Sequence, residues 1–237
     1  MSHPIHEANE HSPYGNYTRQ EFYSKHQIIH NQSFIFNKRN MKIFTQSWCP
    51  HAKPKGLVAM VHGYSSESSW INELTAVAMA KAGFLVCALD LQGHGYSDGS
   101  PGHIPNIKHV VHDCIQFFDS VKAENPKLPA FLYGESLGGA ISILICLKQK
   151  HAWNGLVLNG SMCGISAKFK PIWPLEKLLP VAAKLAPNWR VVVSKPFPGM
   201  WHMLIGEPKE HVELVFGTIL SWLGDHADKA RHKPMSY

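Results

Sequence analysis

The sequence predicts an α/β fold, a single domain in which helices cover both faces of a mostly parallel β-sheet. From Gly56 onward, short segments that are apolar throughout alternate with longer segments of helical character. Strands that are apolar on both sides are typical of parallel sheets with two covered faces. With 237 residues, 45% of them hydrophobic and 17% charged, the chain is long enough for one large core and short for two domains.

Each element follows from its local pattern. Ser33–Phe36 and Met41–Trp48 are predicted to form an N-terminal antiparallel hairpin across the polar turn 37–40. The strands of the parallel part are predicted at Gly56–Val61, Phe84–Asp90, Pro129–Tyr133 and Gly155–Leu158. The helices are predicted at Trp70–Ala82, Ile107–Glu124 and Leu137–Lys150, and a last amphipathic helix begins after Pro208.

Composition divides the chain into five regions. Residues 1–31 are polar and are expected to form a flexible N-terminal arm, with a short helix at Arg19–His26. Residues 165–190 hold four prolines and two tryptophans and are expected to form a partial lid, with a packed connector as the alternative. The other predicted regions are the core at 32–164, the remainder of the core with the final helix at 191–224, and a tail at 225–237.

Charge, cysteine content and histidine spacing argue against several classes of protein. The formal net charge is +6, but the basic residues are scattered, so we expect no nucleic-acid partner. The five cysteines form no CxxC pair, and no segment has the apolar length of a signal peptide or a membrane span. We therefore expect a cytoplasmic protein that is not secreted, with peripheral membrane contact as a further expectation. The 16 histidines show no metal-ligand spacing, so no metal ion or other cofactor is expected.

The sequence Gly134-Glu135-Ser136-Leu137-Gly138 matches the pattern G-x-S-x-G. The pattern alone is weakly specific, but here an apolar strand runs into it and an apolar helix runs out of it. A sharp turn between such elements exposes a serine hydroxyl above the sheet, and glycines let the neighbouring backbones approach. We therefore predict that Ser136 is a nucleophile and that Gly134 and Gly138 are the glycines of its turn.

Two further loops follow predicted strands. His62-Gly63-Tyr64 follows Gly56–Val61, where a small turn can direct the Tyr64 backbone N–H at a substrate carbonyl. With the backbone N–H of Leu137, this predicts an oxyanion hole with two donors. The glycine-rich loop 90–99 carries Asp90 and His94, and its glycines favour tight turns and a structural role for Asp90 over a catalytic one.

The sequences VHGY, DLQGHGYSDG and YGESLGG, in this order and spacing, resemble the monoacylglycerol lipase group of α/β hydrolases. The similarity is to the plant-type members, which include lysophospholipase and caffeoylshikimate esterase relatives. It covers Asn31 to Ser194 and then Gly199 to Leu223. The resemblance implies an α/β-hydrolase fold with a lid over the site. It also implies hydrolysis of carboxylic esters of acyl chains, in monoacylglycerol or lysophospholipid-like lipids, through an acyl-enzyme.

A serine nucleophile of this kind needs a histidine base within hydrogen-bond reach. The histidines that follow the turn are His151, His202, His211, His226 and His232. His151 ends a predicted helix, His211 lies in the last helix, and the final two lie in the tail. His202 stands in a loop before the last helix, within Gly199-Met200-Trp201-His202, which is where the resemblance places the base. We predict His202 as the base.

The sequence departs from the family pattern at the triad acid. The expected order is serine, then aspartate or glutamate, then histidine. Between Ser136 and His202 there is no aspartate and a single carboxylate, Glu176. The late strands that carry the acid in the relatives are missing, so no residue matches it, and Glu176 can replace it only if the lid folds inward. We predict impaired activity, and a substitute strand at Arg190–Ser194 beside Gly155–Leu158.

Several functions remain compatible with these residues. Acyl transfer to an alcohol other than water uses the same acyl-enzyme. A catalytically silent α/β-hydrolase that binds a small molecule is the alternative from a different class, and the unmatched acid favours it. A peptidase is less favoured because nothing marks a pocket for an amine, and an epoxide hydrolase is disfavoured because such enzymes carry aspartate at the position of Ser136.

Overall fold

Among the described residues, six strands form one mixed sheet in the order β1-β2-β4-β3-β5-β6. The computed structural model describes residues 2–162, 200 and 204–231 of the chain. The strands are β1 (Ile28–Phe36), β2 (Lys42–Pro50), β3 (Gly56–Val61), β4 (Phe84–Leu89), β5 (Ala130–Glu135) and β6 (Gly155–Asn159). β2 pairs antiparallel with both β1 and β4, whereas β3–β4, β3–β5 and β5–β6 are parallel pairs. The predicted mostly parallel sheet with an N-terminal antiparallel hairpin is confirmed.

Helices cover both faces of the sheet. They are α1 (Arg19–His26), α2 (Ile71–Lys81), α3 (Ile107–Glu124), α4 (Leu137–Lys148) and α5 (Lys209–Arg231). In β3, Leu57 and Ala59 pack in the core under α3 and α4, while Val58 and Met60 pack under α1, α2 and α5. Every residue of β3 is buried, which explains why this strand is apolar without alternation.

The N-terminal region is packed on the domain, whereas the sequence predicts a flexible arm at residues 1–31. Helix α1 has the predicted bounds, and its Tyr23 is buried. The hydroxyls of Tyr14 and Tyr23 donate hydrogen bonds to the carboxylate of Glu73 in α2. The polar composition of this region therefore serves specific contacts with distant parts of the chain.

The first residues of the chain contact the last helix. The imidazole of His3 packs on the ring of Phe216, with 4.3 Å between the ring centroids. The His3 backbone N–H and the Ser2 hydroxyl donate to Glu213 at 2.8 and 3.0 Å. These contacts bury His3 and attach the N-terminal region to α5.

Strand β1 begins at Ile28, five residues before the predicted start at Ser33. Its added residues continue the antiparallel ladder, from Ile28 opposite Pro50 to Gln32 opposite Gln46. β1 is the edge strand of the sheet, so many of its side chains remain in contact with water. Polar residues are tolerated there, and the alternation that identifies a strand from sequence is weak.

Helix α5 carries the apolar stripe that the sequence predicts. Val212, Val215 and Phe216 pack together near the N-terminal region, and Leu223 packs in the core on the sheet. The helix continues to Arg231, beyond the predicted boundary at residue 224. The predicted tail at 225–237 is therefore helical as far as the structure describes it, because the buried Ala227 extends the stripe by one turn.

Two predictions concern segments outside the described residues. The partial lid at 165–190 and the substitute strand Arg190–Ser194 lie outside the part of the chain that the structure describes. Of the helices that the structure describes, none combines the length and the apolar character needed to cross a bilayer.

Candidate active site

Ser136 occupies a tight turn between β5 and α4. Its backbone has φ 52° and ψ −117°, a region that residues with a side chain rarely adopt. Such a conformation costs on the order of 1–3 kcal/mol and persists only where the surroundings enforce it. The turn follows the carboxyl end of a buried parallel strand, where ligands of open α/β sheets bind. This geometry is that of a nucleophile elbow.

Backbone hydrogen bonds hold the turn in this conformation. The Ser136 N–H donates to the carbonyl of Asn159, at the end of β6, at 3.2 Å. The Ser136 carbonyl accepts from the N–H groups of Gly139 and Met162 at 3.0 and 2.9 Å. The segment that follows β6 therefore supports the turn from one side, and the first turn of α4 closes it from the other.

Three glycines allow the backbones around the turn to touch. A Cβ on Gly134 would lie 2.5 Å from the carbonyl oxygen of Gly138, and a Cβ on Gly138 would lie 2.0 Å from that of Val61. A Cβ on Gly139 would lie 2.2 Å from the hydroxyl oxygen of Ser161. Real Cβ atoms do not approach other atoms this closely. These contacts explain why glycine is required at the positions that the pattern marks.

The turn after β3 lies beside Ser136. A Cβ on Gly63 would come within 3.1 Å of the Ser136 Cβ and 3.8 Å of its Oγ. Tyr64 follows directly and is 56% exposed. Leu137 is the first residue of α4, where a helix leaves its backbone N–H without an intrahelical acceptor. The structure therefore brings Ser136, Leu137 and the turn that carries Tyr64 together.

His62 is a structural residue of this turn. Its Nδ1 lies 2.7 Å from the Gly63 carbonyl oxygen, and its Nε2 accepts from the Leu91 backbone N–H at 2.9 Å. Burial lowers the pKa of His62 to about 4, so the ring is neutral near pH 7. With both nitrogens bonded, His62 connects the ends of β3 and β4 and cannot serve as a base.

Asp90 organises the loop after β4. It is fully buried, and its Oδ1 accepts from both the backbone N–H and the hydroxyl of Ser68, at 2.7 and 2.6 Å. Its Oδ2 accepts from the Tyr96 backbone N–H at 2.9 Å. A Cβ on Gly95 would lie 2.0 Å from the same oxygen. Oδ2 thus holds the loop itself, and Oδ1 connects it to Ser68 in the segment after β3, in agreement with the structural role predicted for Asp90.

The structure describes three of the histidines that follow the elbow, and they lie in separate parts of the fold. His151 lies beyond the far end of α4, whose 12 residues span about 18 Å. His226 stacks on Trp222, which packs on Gly155 at the amino end of β6. Ser136 lies at the other end of these parallel strands, after the carboxyl end of β5. His211 pairs with Glu207 at 3.0 Å in the first turn of α5. His202, His232 and Glu176 lie outside the described residues.

A buried polar pair lies under the elbow and has no counterpart in the sequence-based predictions. The Asn159 side-chain amide donates to the Tyr133 hydroxyl at 2.6 Å. Both residues are buried, and burial raises the pKa of Tyr133 well above its usual value. Tyr133 lies within an apolar strand and Asn159 ends another, so only their pairing across β5 and β6 reveals the contact.

The strained serine follows a parallel strand, the glycine turn of a neighbouring strand lies beside it, and helices cover both faces of the sheet. Together these features define an α/β hydrolase. The chain belongs to the serine aminopeptidase, S33, family, whose profile matches residues 52–197. Among the described residues, no cluster of histidine, cysteine or acidic side chains could hold a metal ion.

The chain is also similar to curated proteins. The chain is 35% identical over 162 residues to caffeoylshikimate esterase of Arabidopsis thaliana, covering 67% of the chain and 48% of that protein. It is 35% identical over 124 residues to human monoglyceride lipase, covering 52% of the chain and 41% of the lipase. The chain thus spans about half the length of the curated relatives it matches.

Solved structures share the fold at low sequence identity. A predicted CIB-like hydrolase of Thermoplasma acidophilum aligns with a TM-score of 0.54 at 19% identity, over 82% of this chain and 99% of that one. A soluble variant of monoglyceride lipase from Saccharomyces cerevisiae, in complex with a substrate analog, aligns with a TM-score of 0.53 at 21% identity, over 67% and 53%.

Proposed function

We propose that the chain is a serine hydrolase that cleaves carboxylic esters of acyl chains. The observation that carries the proposal is the strained backbone of Ser136, held beside the Gly63–Tyr64 turn at the carboxyl end of the sheet. Strain of this kind is kept where a function requires it. A buried strand and an apolar helix of the same length would connect more favourably through an unstrained turn.

In the proposed reaction, the Ser136 hydroxyl oxygen attacks the acyl carbonyl carbon of the ester. The hydroxyl proton passes to a base, for which we propose His202. The backbone N–H groups of Leu137 and Tyr64 are proposed to donate to the oxygen that becomes negatively charged. The alcohol then leaves with the proton, and water attacks the acyl-enzyme in the same way to release the fatty acid.

Both proposed oxyanion donors are backbone groups, so no side chain has to move to place them. Leu137 is the first residue of α4 and follows Ser136 directly, so its N–H and the positive end of the helix dipole lie next to Ser136. The N–H of Tyr64 belongs to a turn that His62 anchors through two hydrogen bonds. Donors fixed in advance stabilise a developing charge without a reorganisation cost.

The triad acid has no match in the sequence, and Asp90 does not replace it because Ser68 bonds one of its oxygens and the Tyr96 backbone N–H bonds the other. An acid fixes the tautomer of the base, and its loss in a serine protease lowers turnover by about ten-thousand-fold. We therefore propose a slow hydrolase, with Glu176 as the residue that could supply the carboxylate. Glu176→Gln should reduce the rate further if it does so.

The relatives suggest the substrate class. Proteins named monoglyceride lipase and caffeoylshikimate esterase both act on esters, as their names state. We propose small acyl esters, with monoacylglycerol or lysophospholipid-like lipids as the first compounds to test. Acyl transfer to an alcohol other than water is the second candidate, because the same acyl-enzyme would serve it.

The proposal is tested by labelling with a fluorophosphonate probe and by turnover of p-nitrophenyl acyl esters. The wild-type chain is expected to be labelled and to hydrolyse the esters, and Ser136→Ala is expected to lose both. Ser142→Ala is the matched control, since Ser142 is a buried serine on α4 whose hydroxyl has no hydrogen-bond partner among the described residues. Equal background rates in all three proteins, without labelling, would favour a silent binding protein.

A further inference from the structure

A groove with aromatic walls has a lining that includes neither Ser136 nor Leu137 nor Tyr64. Its volume is about 560 Å³, within the usual range for small-molecule sites. Phe34, Phe44, Trp70 and Tyr96 form its apolar walls, and Glu67 and Arg19 are among its polar residues. We call this cavity the aromatic groove. Phe34 and Phe44 come from β1 and β2, and β2 is three strand positions from β5, about 14 Å at the usual spacing.

The aromatic walls are exposed to an unusual degree. Phe34 is 49% exposed, Trp70 50% and Tyr96 67%. The rings form a continuous surface on one side, because Phe44 contacts both Phe34 and Tyr96 with centroid separations of 5.3 and 5.1 Å. Large aromatic residues around one cavity are costly to leave in water, and such a patch is typical of a ligand site.

The charges in the groove favour a cation. The guanidinium of Arg19 donates to Glu73, Gln32 and Gln46 at 3.1, 3.3 and 3.0 Å, so its charge is paired with that of Glu73 and each of its three nitrogens makes a hydrogen bond. The carboxylate of Glu67 receives no hydrogen bond or ion pair from the residues that the structure describes. The buried carboxylate of Asp90 lies near enough to act on it. The groove therefore carries an excess of negative charge.

We propose that the aromatic groove is a second ligand site, which binds an organic cation of the quaternary ammonium type. The electron-rich faces of aromatic rings attract cations, and a methylated ammonium loses little hydration when it enters an apolar cavity. Glu67 supplies the charge that complements it. A small, strongly hydrated cation such as sodium would lose its hydration against the apolar walls, and an anion is repelled by the carboxylate of Glu67.

Such a cation has two sources, a free compound such as choline or the head group of a phosphatidylcholine membrane. None of the proposed catalytic groups lines the groove, so its test does not depend on the proposed hydrolase function. Tetramethylammonium chloride is titrated calorimetrically into the Ser136→Ala protein, with sodium chloride at equal ionic strength as the reference. Sedimentation with phosphatidylcholine vesicles, compared with phosphatidylglycerol vesicles, distinguishes the two sources.

Three variants locate the site. Glu67→Gln removes the charge at constant shape, and Phe34→Leu removes one wall; each is expected to weaken tetramethylammonium binding about fivefold. Phe36→Leu is the matched control, since Phe36 is equally exposed on β1 but does not line the groove. Its affinity should stay within about twofold of the parent protein.

The outcomes decide the proposal as follows. Binding of tetramethylammonium that weakens in Glu67→Gln and Phe34→Leu, but not in Phe36→Leu, supports it. Additional sedimentation with phosphatidylcholine vesicles that is lost in Glu67→Gln assigns the cation to a head group, and its absence assigns a free cation. The proposal is overturned if tetramethylammonium gives no heat beyond sodium chloride, or if both groove variants bind it as tightly as the control.

Discussion

Ser136 and Trp70 adopt nearly the same strained backbone conformation, with φ 52° and ψ −117° at Ser136 and φ 50° and ψ −114° at Trp70. Each is the residue immediately before a helix, and neither caps that helix with its side chain. Both therefore carry strain without the usual benefit of a polar cap. One lies at the proposed nucleophile and the other lines the aromatic groove, the two places for which we propose ligands.

The strain at Ser136 predicts an unusual order of stability among variants. Ser136→Ala and Ser136→Gly both remove the hydroxyl, but glycine adopts a positive φ without a penalty. We expect Ser136→Gly to be more stable than Ser136→Ala by about 1 kcal/mol in urea unfolding. At Ser120, an exposed position inside α3, the order should reverse, with glycine less stable than alanine by about 1 kcal/mol. The same order at both positions would show that Ser136 is unstrained.

Two glycines in helices should respond in opposite directions to alanine. Gly138→Ala places a methyl group 2.0 Å from the carbonyl oxygen of Val61, so α4 must move off β3. We expect a loss of at least about 3 kcal/mol, or failure to fold. A methyl group on Gly217 of α5 would meet no atom of the described residues within 4 Å, and Gly217→Ala should raise stability by about 0.5–1 kcal/mol. Thermal unfolding of both variants provides the measurement, and similar effects would contradict the packing described.

Asp90 should matter for stability and not for the identity of the nucleophile. Asp90→Asn replaces one of two accepting oxygens by a donor that faces the Tyr96 or Ser68 N–H, which should cost about 1–3 kcal/mol. Fluorophosphonate labelling of Ser136 should persist in the folded variant. Asp98→Asn, at an exposed carboxylate that accepts from the Lys42 N–H, is the control and should lose less. Loss of labelling without loss of folding would instead assign Asp90 to the reaction.

His3 should make stability depend on pH. In the folded chain the pKa of His3 is lowered to about 3, mainly by burial and to a smaller extent by the charge of His6. In the unfolded chain the His3 ring has a pKa near 6.5. The contribution of the neutral, buried ring to the free energy of unfolding is therefore complete above that pH and is lost as the pH falls toward 3. Between pH 7 and pH 5 the loss should reach about 2 kcal/mol.

The contribution of His3 can be isolated by substitution. His3→Asn keeps an acceptor for the Ile5 backbone N–H and removes the titrating ring. Its free energy of unfolding in urea should fall less between pH 7 and pH 5 than that of the parent chain. His11→Asn, at a side chain that is 84% exposed, should leave the dependence unchanged. His30 and His62, whose pKa values are also lowered by burial to about 4, titrate in all three proteins. Equal slopes would place His3 in water.

The parts of the fold that the sequence predicts are those whose burial follows a regular pattern. β3 and α3 have the predicted bounds because continuous and periodic apolar residues mark them. The elbow was predictable for the same reason, since a buried strand and an apolar helix flank Ser136. Local patterns of this kind need no knowledge of distant partners.

The parts that escaped prediction depend on such partners. Tyr14 bonds Glu73 across 59 positions, and His3 bonds Glu213 across 210, so the packing of the N-terminal region is invisible in its own polar composition. Glu73 within a mostly apolar helix is the one signal, because a carboxylate on a buried face requires partners. The aromatic groove combines residues from five separate segments and has no pattern in the sequence.

The contact between Ser2 and Glu213 also orders events during synthesis on the ribosome. These residues are 211 positions apart, so at usual elongation rates Glu213 is synthesised on the order of 10–40 s after Ser2. Until then Phe216 is absent and His3 has no ring to pack on. Closure of this contact therefore follows the emergence of α5 from the exit tunnel, and until then the segment around Ser2 and His3 should stay open to proteases.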